Sequence, residues 1–315
     1  MKNILRSVII CLIACFAVSA VKAQVPHISI KVETNTNRSI DYIATKTDPG
    51  TFLVVLNFTN LTNSLSKERE IATITGYAGN VYTMRPENKN QDIRYSNFTF
   101  SYIRGKLNPK YDPEFVYLLP YQNGTKVKAL ELTDGKAKYL GSTTPNSWKI
   151  YRFSTDAADT VTAVRKGIVV ELKDIYDTDS REGVAFTSNQ NFIMIEHADG
   201  TLAEYNGFKK GSTTVKVGDV VFPGASLGMS SKASENAEPS ITLVLSYLKS
   251  ADFESAKDKT KQRDKSLYGY ITGKFLTGEN SSMVLESNQV YTSVIAPAIV
   301  QKELTKKELK ALVKK

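Results

Sequence analysis

Asn191-Phe192-Ile193-Met194-Ile195-Glu196-His197-Ala198-Asp199-Gly200-Thr201-Leu202-Ala203-Glu204-Tyr205 is the stretch that decides the fold. Two apolar runs flank Asp199-Gly200, a pair that tolerates the positive φ of a tight hairpin turn. The spacing predicts a β-hairpin with a two-residue turn at Asp199-Gly200. Upstream, Thr162-Ala163-Val164-Arg165-Lys166-Gly167-Ile168-Val169-Val170 opens a strand at Gly167 after a turn. Downstream, Val215-Lys216-Val217-Gly218-Asp219-Val220-Val221 and Pro223-Gly224-Ala225-Ser226-Leu227-Gly228 set tight turns at Gly218 and Gly224 around a short strand. Residues 241–248 close the series as another strand.

The rest of the 315-residue chain reads the same way. Aromatic residues make up 10% of it, and Val, Ile and Thr are plentiful, which suits pleated, half-buried surfaces. Ile28-Ser29-Ile30-Lys31-Val32 alternates with period two, Asp48-Pro49-Gly50 is a turn, and residues 51–58 form a buried-looking strand. Residues 60–68 are a polar loop, residues 96–102 alternate cleanly, residues 115–119 are apolar, and Asn123-Gly124 signals a hairpin. This text predicts an all-β chain with an immunoglobulin-like β-sandwich over residues 24–145. A polar joint at 141–147 leads to a second β unit over residues 146–300, interrupted by a charged loop at 250–265. In the tail, residues 301–315, Thr305-Lys306-Lys307-Glu308 is a capping box, and Leu304, Leu309, Leu312 and Val313 keep helical spacing. They predict a short amphipathic helix from Lys306 that packs on a domain with its lysines solvated.

Residues 1–23 read as a cleaved export signal. Lys2 and Arg6 precede an apolar run at 7–18, and Val21-Lys22-Ala23 stands before Gln24. The rival reading is a lipoprotein box at Leu12-Ile13-Ala14-Cys15, with Cys15 lipidated. Apolar sequence continuing past Cys15 and the site after Ala23 favour ordinary cleavage. The expected location is therefore periplasmic or extracellular. Both cysteines, Cys11 and Cys15, lie in this segment, so the exported chain has neither disulfides nor thiolate ligands. No later stretch reads as transmembrane. The net charge of +9 is concentrated in the leader and in the six lysines of the tail. A nearly neutral body excludes nucleic acid as a partner.

The ordered pieces between Thr162 and Leu248 resemble the lysostaphin/LytM-type zinc metallopeptidase domain, over residues 148–248. The resemblance implies a β-barrel-like second unit and does not reach the first half. In active members a His-x-Gly-x-Asp segment and a late His-x-His pair hold zinc, and a Tyr-x-His segment helps to activate water. Here the first segment is Arg152-Phe153-Ser154-Thr155-Asp156, with a fixed cation in place of the His. Tyr205-Asn206-Gly207 puts Gly207 at the catalytic His position. The late pair falls on Ser240 and Thr242, or on Thr242 and Val244 if the strand is shifted by two. Outside these, the only histidines are His27 and His197. The resemblance gives His197 a structural place, capping the turn at Asp199-Gly200.

The sequence therefore implies no catalytic residue, no metal site and no cofactor. The resemblance implies a groove lined by Arg152, Ser154, Asp156, Tyr205, Ser240 and Thr242, with Asp156 paired to Arg152 where zinc would sit. The acidic residues Asp159, Asp174, Asp177, Asp179 and Glu182 lack the glycine and terminal Glu of a calcium loop and read as solvated. The expected role is an inactive peptidase-like envelope protein that binds peptidoglycan or a protein partner. The alternatives are an active peptidase with Asp156 or Glu171 as substitute ligands, and a structural surface protein.

Overall fold

Period-two alternation over the first hundred residues places apolar side chains on one face of each strand, and two such faces close on each other. A computed structural model describes residues 27–132, 148–177, 190–252 and 266–313. The leader with Cys15, the 141–147 joint, Asp179 and Glu182 lie outside them. The first six strands are β1 (Ile28–Thr34), β2 (Ile40–Lys46), β3 (Phe52–Thr59), β4 (Arg69–Ile74), β5 (Ala78–Met84) and β6 (Asn97–Arg104). They form two antiparallel sheets, β1-β2-β5 and β4-β3-β6. Ile28, Tyr42, Phe52, Val54, Leu56, Phe58, Ile74 and Met84 fill the space between them. Splitting strands one, two and five from three, four and six is the immunoglobulin-like arrangement. Among the described residues no seventh strand lies beside β6.

The second unit carries β7 (Val116–Leu118), β8 (Lys126–Glu131), β9 (Tyr151–Ser154), β10 (Thr160–Thr162), β11 (Gly167–Lys173), β12 (Phe192–Glu196) and β13 (Leu202–Asn206). It continues with β14 (Val220–Val221), β15 (Ser226–Met229), β16 (Ser231–Lys232), β17 (Pro239–Leu248), β18 (Tyr268–Tyr270), β19 (Lys274–Leu276) and β20 (Gln289–Thr292). One ten-stranded sheet runs β14-β11-β12-β13-β17-β9-β8-β20, with β16 and β18 also on β17. The pairs β10-β15 and β7-β19 complete the unit around a core containing Tyr117, Tyr151, Phe153, Ile193, Tyr205, Ile241 and Phe275. The chain is thus all-β, and no helix among the described residues is long and apolar enough to cross a membrane.

Two expectations need correction. The division expected at residue 145 does not separate the hydrogen-bonded sheets. β8, on its near side, pairs with β9 and with β20. A strand's period shows which face it buries but not which distant strand it joins. The hairpin turn is also one residue longer than expected. Glu196 pairs with Leu202, the His197 N–H donates to the Thr201 carbonyl, and Ala198-Asp199-Gly200 makes the loop. Gly200 has φ +91°, the left-handed residue that such three-residue loops need.

The tail follows its capping box. α1 (Pro297–Gln301) leads to α2 (Lys306–Val313). The Thr305 N–H donates to Glu308 Oε2 at 2.7 Å, and the Glu308 N–H donates to Thr305 Oγ1 at 3.3 Å. Glu308 also takes a 2.7 Å bond from Lys166, and Glu303 binds Arg165, so the tail is fastened to the second unit.

Candidate functional site

Alternation along three neighbouring strands builds the candidate face. In β9, β17 and β13 the residues Tyr151, Phe153, Ile241, Leu243, Ala203 and Tyr205 turn into the core. Their neighbours in sequence turn to the other face. Register then sets Leu130, Arg152, Thr242 and Asn206 side by side across β8, β9, β17 and β13. One step along, Lys128, Ser154 and Ser240 form a parallel row. The structure therefore unites Arg152, Ser154, Ser240 and Thr242 and adds Lys128 and Asn206 beside them.

Arg152 is the unusual member. It is partly buried, its Nε is shielded from solvent with no hydrogen-bond partner, and it forms no ion pair among the described residues. Desolvation alone pulls its pKa below the ordinary guanidinium value. Asp156, the expected partner, is exposed past the end of β9 and is not paired with it. Asn206 Nδ2 is engaged at 2.8 Å by Glu204 Oε1, and burial raises the Glu204 carboxyl pKa against that bond.

Tyr205 does not belong to this face. It is wholly buried on the opposite side, where its hydroxyl accepts the Val164 N–H at 2.9 Å. Parity was the available signal, because Ile193, Ile195, Ala203 and Tyr205 all sit at apolar, inward positions. Lys128 and Asn206 escaped sequence reading because their places depend on strand pairing alone.

The metallopeptidase resemblance implies zinc, and these residues do not fit it. The fixed positive charge of Arg152 would repel a cation beside Thr242. Gly207 has φ +108°, and a β-carbon there would lie 2.8 Å from the Ser240 carbonyl oxygen. A histidine at 207 thus requires the backbone to move. Among the described residues, no three His, Cys, Asp or Glu side chains gather in a group able to hold a metal.

His197 lies elsewhere, at the end of β12, and is 3% exposed. Its Nδ1 donates to the Lys166 carbonyl at 2.8 Å, tying the hairpin to the turn before β11. Burial, and then the Arg165 charge, push its pKa down to about 4. The unfolded chain, near 6.5, therefore takes up this proton first. The stabilising contribution is full above pH 6.5 and is lost as pH falls towards 4. Urea unfolding at pH 7 and 4.5 should show a loss of about 2 kcal/mol carried by this residue. His197→Asn retains a donor for Lys166 and should lack that part of the loss; an unchanged pH dependence would refute the assignment.

No protein family matches the chain in sequence, and no curated protein does. Among solved structures, a chain of the SpoIIQ–SpoIIIAH pore-forming complex aligns with 20% identity over 42% of this chain and 84% of that one, at TM-score 0.28. A Pseudomonas aeruginosa protein described as a peptidase M23 candidate aligns with 11% identity over 61% and 82%, also at TM-score 0.28. Helicobacter pylori Csd3 aligns with 11% identity over 90% and 84%, at TM-score 0.25.

Proposed function

We propose that this chain is an exported, non-catalytic protein of the bacterial envelope. Its second unit is a degenerate LytM-type domain that binds peptidoglycan through the β8-β9-β17-β13 face. The observation that carries the reading is Arg152, a partly buried guanidinium with no counter-charge among the described residues, next to Thr242 where a metallopeptidase would hold zinc. Such a group favours an anion, and the carboxylates of cell-wall peptides supply one. Lys128 adds a second cation, while Ser154, Ser240 and Thr242 offer hydroxyls to sugar or peptide.

The test is co-sedimentation of the purified protein with insoluble peptidoglycan, with metal analysis of the same sample. Retention without stoichiometric zinc is expected. Arg152→Gln should weaken retention about 10-fold or more, the scale of one charge-assisted hydrogen bond. Lys128→Ala should weaken it less. Zinc at one per chain would overturn the reading, and absence of retention would redirect it to a protein partner.

A further inference from the structure

The outer edge of β6 points to a second site, on the other unit and independent of the face above. Phe58 donates its N–H to the Glu68 carbonyl, so Phe52, Val54, Leu56 and Phe58 turn their backbone groups towards β4. Leu53, Val55 and Asn57 therefore turn theirs towards β6, where they face Ile103, Ser101 and Thr99. The N–H of Gly105 on the Thr51 carbonyl keeps the same phase. It follows that Phe98, Phe100 and Tyr102 direct their N–H and C=O groups away from the sheet. Among the described residues none of these groups has a backbone partner. The edge ends at Arg104, whose carbonyl accepts the Tyr268 hydroxyl at 2.7 Å.

The side chains at these positions form a ladder. Phe98 and Phe100 stack at 6.1 Å, Phe100 and Tyr102 at 6.3 Å, and all three remain partly exposed at the lip of the sandwich core. Natural edge strands are blunted by charge, proline, bulges or short length. β6 is eight residues long, and from Tyr95 to Ile103 there is neither a charge nor a proline. Such an edge fits an extended backbone that brings apolar side chains at every second position.

The sequence of the edge selects which backbone. Phe98-Thr99-Phe100-Ser101-Tyr102 reads aromatic, hydroxyl, aromatic, hydroxyl, aromatic in either direction. A twofold axis at Phe100 would set Phe100 against its own copy and Phe98 against the copy of Tyr102. All of these are outward-bonding residues, so each pair exchanges two hydrogen bonds in an antiparallel ladder. Aromatics would then meet aromatics on one face, and Thr99 would meet Ser101 on the other. The result is an isologous contact in which both copies use one patch. We propose that β6 pairs with β6 of a second copy, joining two three-stranded β4-β3-β6 sheets into one six-stranded sheet across the dimer.

Light scattering on the eluting purified protein, over a range of concentrations, tests this directly. A reversible dimer is expected. Thr99→Lys with Ser101→Lys sets lysine against lysine twice and should raise the dissociation constant at least 100-fold. Thr99→Lys with Ser101→Glu sets lysine against glutamate twice and should keep the dimer. Far-UV circular dichroism shows that both variants are folded. A monomer at every concentration overturns the proposal, as does a dimer indifferent to both variants or lost in both. Peptidoglycan retention is read separately, so failure of either proposal leaves the other standing.

Discussion

Replacing Arg104 with methionine should cost about 3–5 kcal/mol of stability, the scale for removing one member of a buried ionic group. Arg104 is 7% exposed, and its guanidinium binds both oxygens of Asp48, at 2.9 and 3.1 Å. It also donates through Nε and Nη2 to Glu171 on β11, at 3.2 and 3.1 Å, and lies over the Phe52 ring at 4.4 Å. Without it, the buried carboxylate of Asp48 keeps the Gly50 N–H and the more distant His27 ring. Methionine preserves volume, so the loss reports charge and not a cavity. Arg104→Lys should recover only part, since one ammonium cannot reproduce the planar fork that serves two carboxylates. Because Arg104 joins the sandwich to β11, the methionine variant should also unfold in two steps. The contacts that remain at this joint are hydrogen bonds without a buried ion pair: the Thr51 N–H on Glu196 Oε2 at 2.7 Å, the Tyr268 hydroxyl on the backbone carbonyl of residue 104 at 2.7 Å, and Arg69 on the Ala251 carbonyl at 2.8 Å. Urea unfolding followed separately by near-UV and far-UV signals measures both effects; a single unchanged transition would contradict this role.

That joint had no signature in the sequence. Asp48, Arg104 and Glu171 are far apart in the chain; Asp48 reads as a turn residue, Glu171 as a substitute ligand in the alternative reading, and nothing local to any of them points to the other two. What could be read was local. The hairpin at 192–206 followed from period two and Asp-Gly, and the tail helix from Thr305 and Glu308, because each depends on neighbours a few residues away. Arg152, Ser154, Ser240 and Thr242 were grouped by the motif positions of the metallopeptidase resemblance, and the pairing of β9 with β17 sets them side by side. The membership of β8 was not readable, since its partner β9 lies across a polar stretch that resembles a linker. Tyr205 was misplaced because a motif position was followed instead of the strand's parity. The edge of β6 could be read as an alternating strand, but its lack of a neighbour emerges only from the assembled sheet.

Arg165→Met should be as damaging, about 3–5 kcal/mol, by the same physics in a different place. Arg165 is 4% exposed and sits 3.9 Å above the Phe115 ring. It reaches Asp199 in the hairpin turn at 2.9 Å and Glu303 in the tail at 2.6 Å, thereby binding three segments distant in sequence. Among the described residues its removal leaves the partly buried Asp199 carboxylate with Thr201 as its hydrogen-bond donor, and takes the guanidinium from the Glu303 carboxylate. The tail then keeps Lys166 on Glu308 but loses its most buried anchor and should open more often, which limited trypsin cleavage at Lys302, Lys306 and Lys307 would reveal as faster loss of the C-terminus. A second readout separates charge from packing. The Arg165 cation helps to hold His197 at about 4, so the variant should raise that pKa while burial keeps it below 6.5. Imidazole chemical shifts followed against pH report this change. A faster-cleaved tail with an unmoved His197 titration would mean that Arg165 acts there through packing and not through its charge.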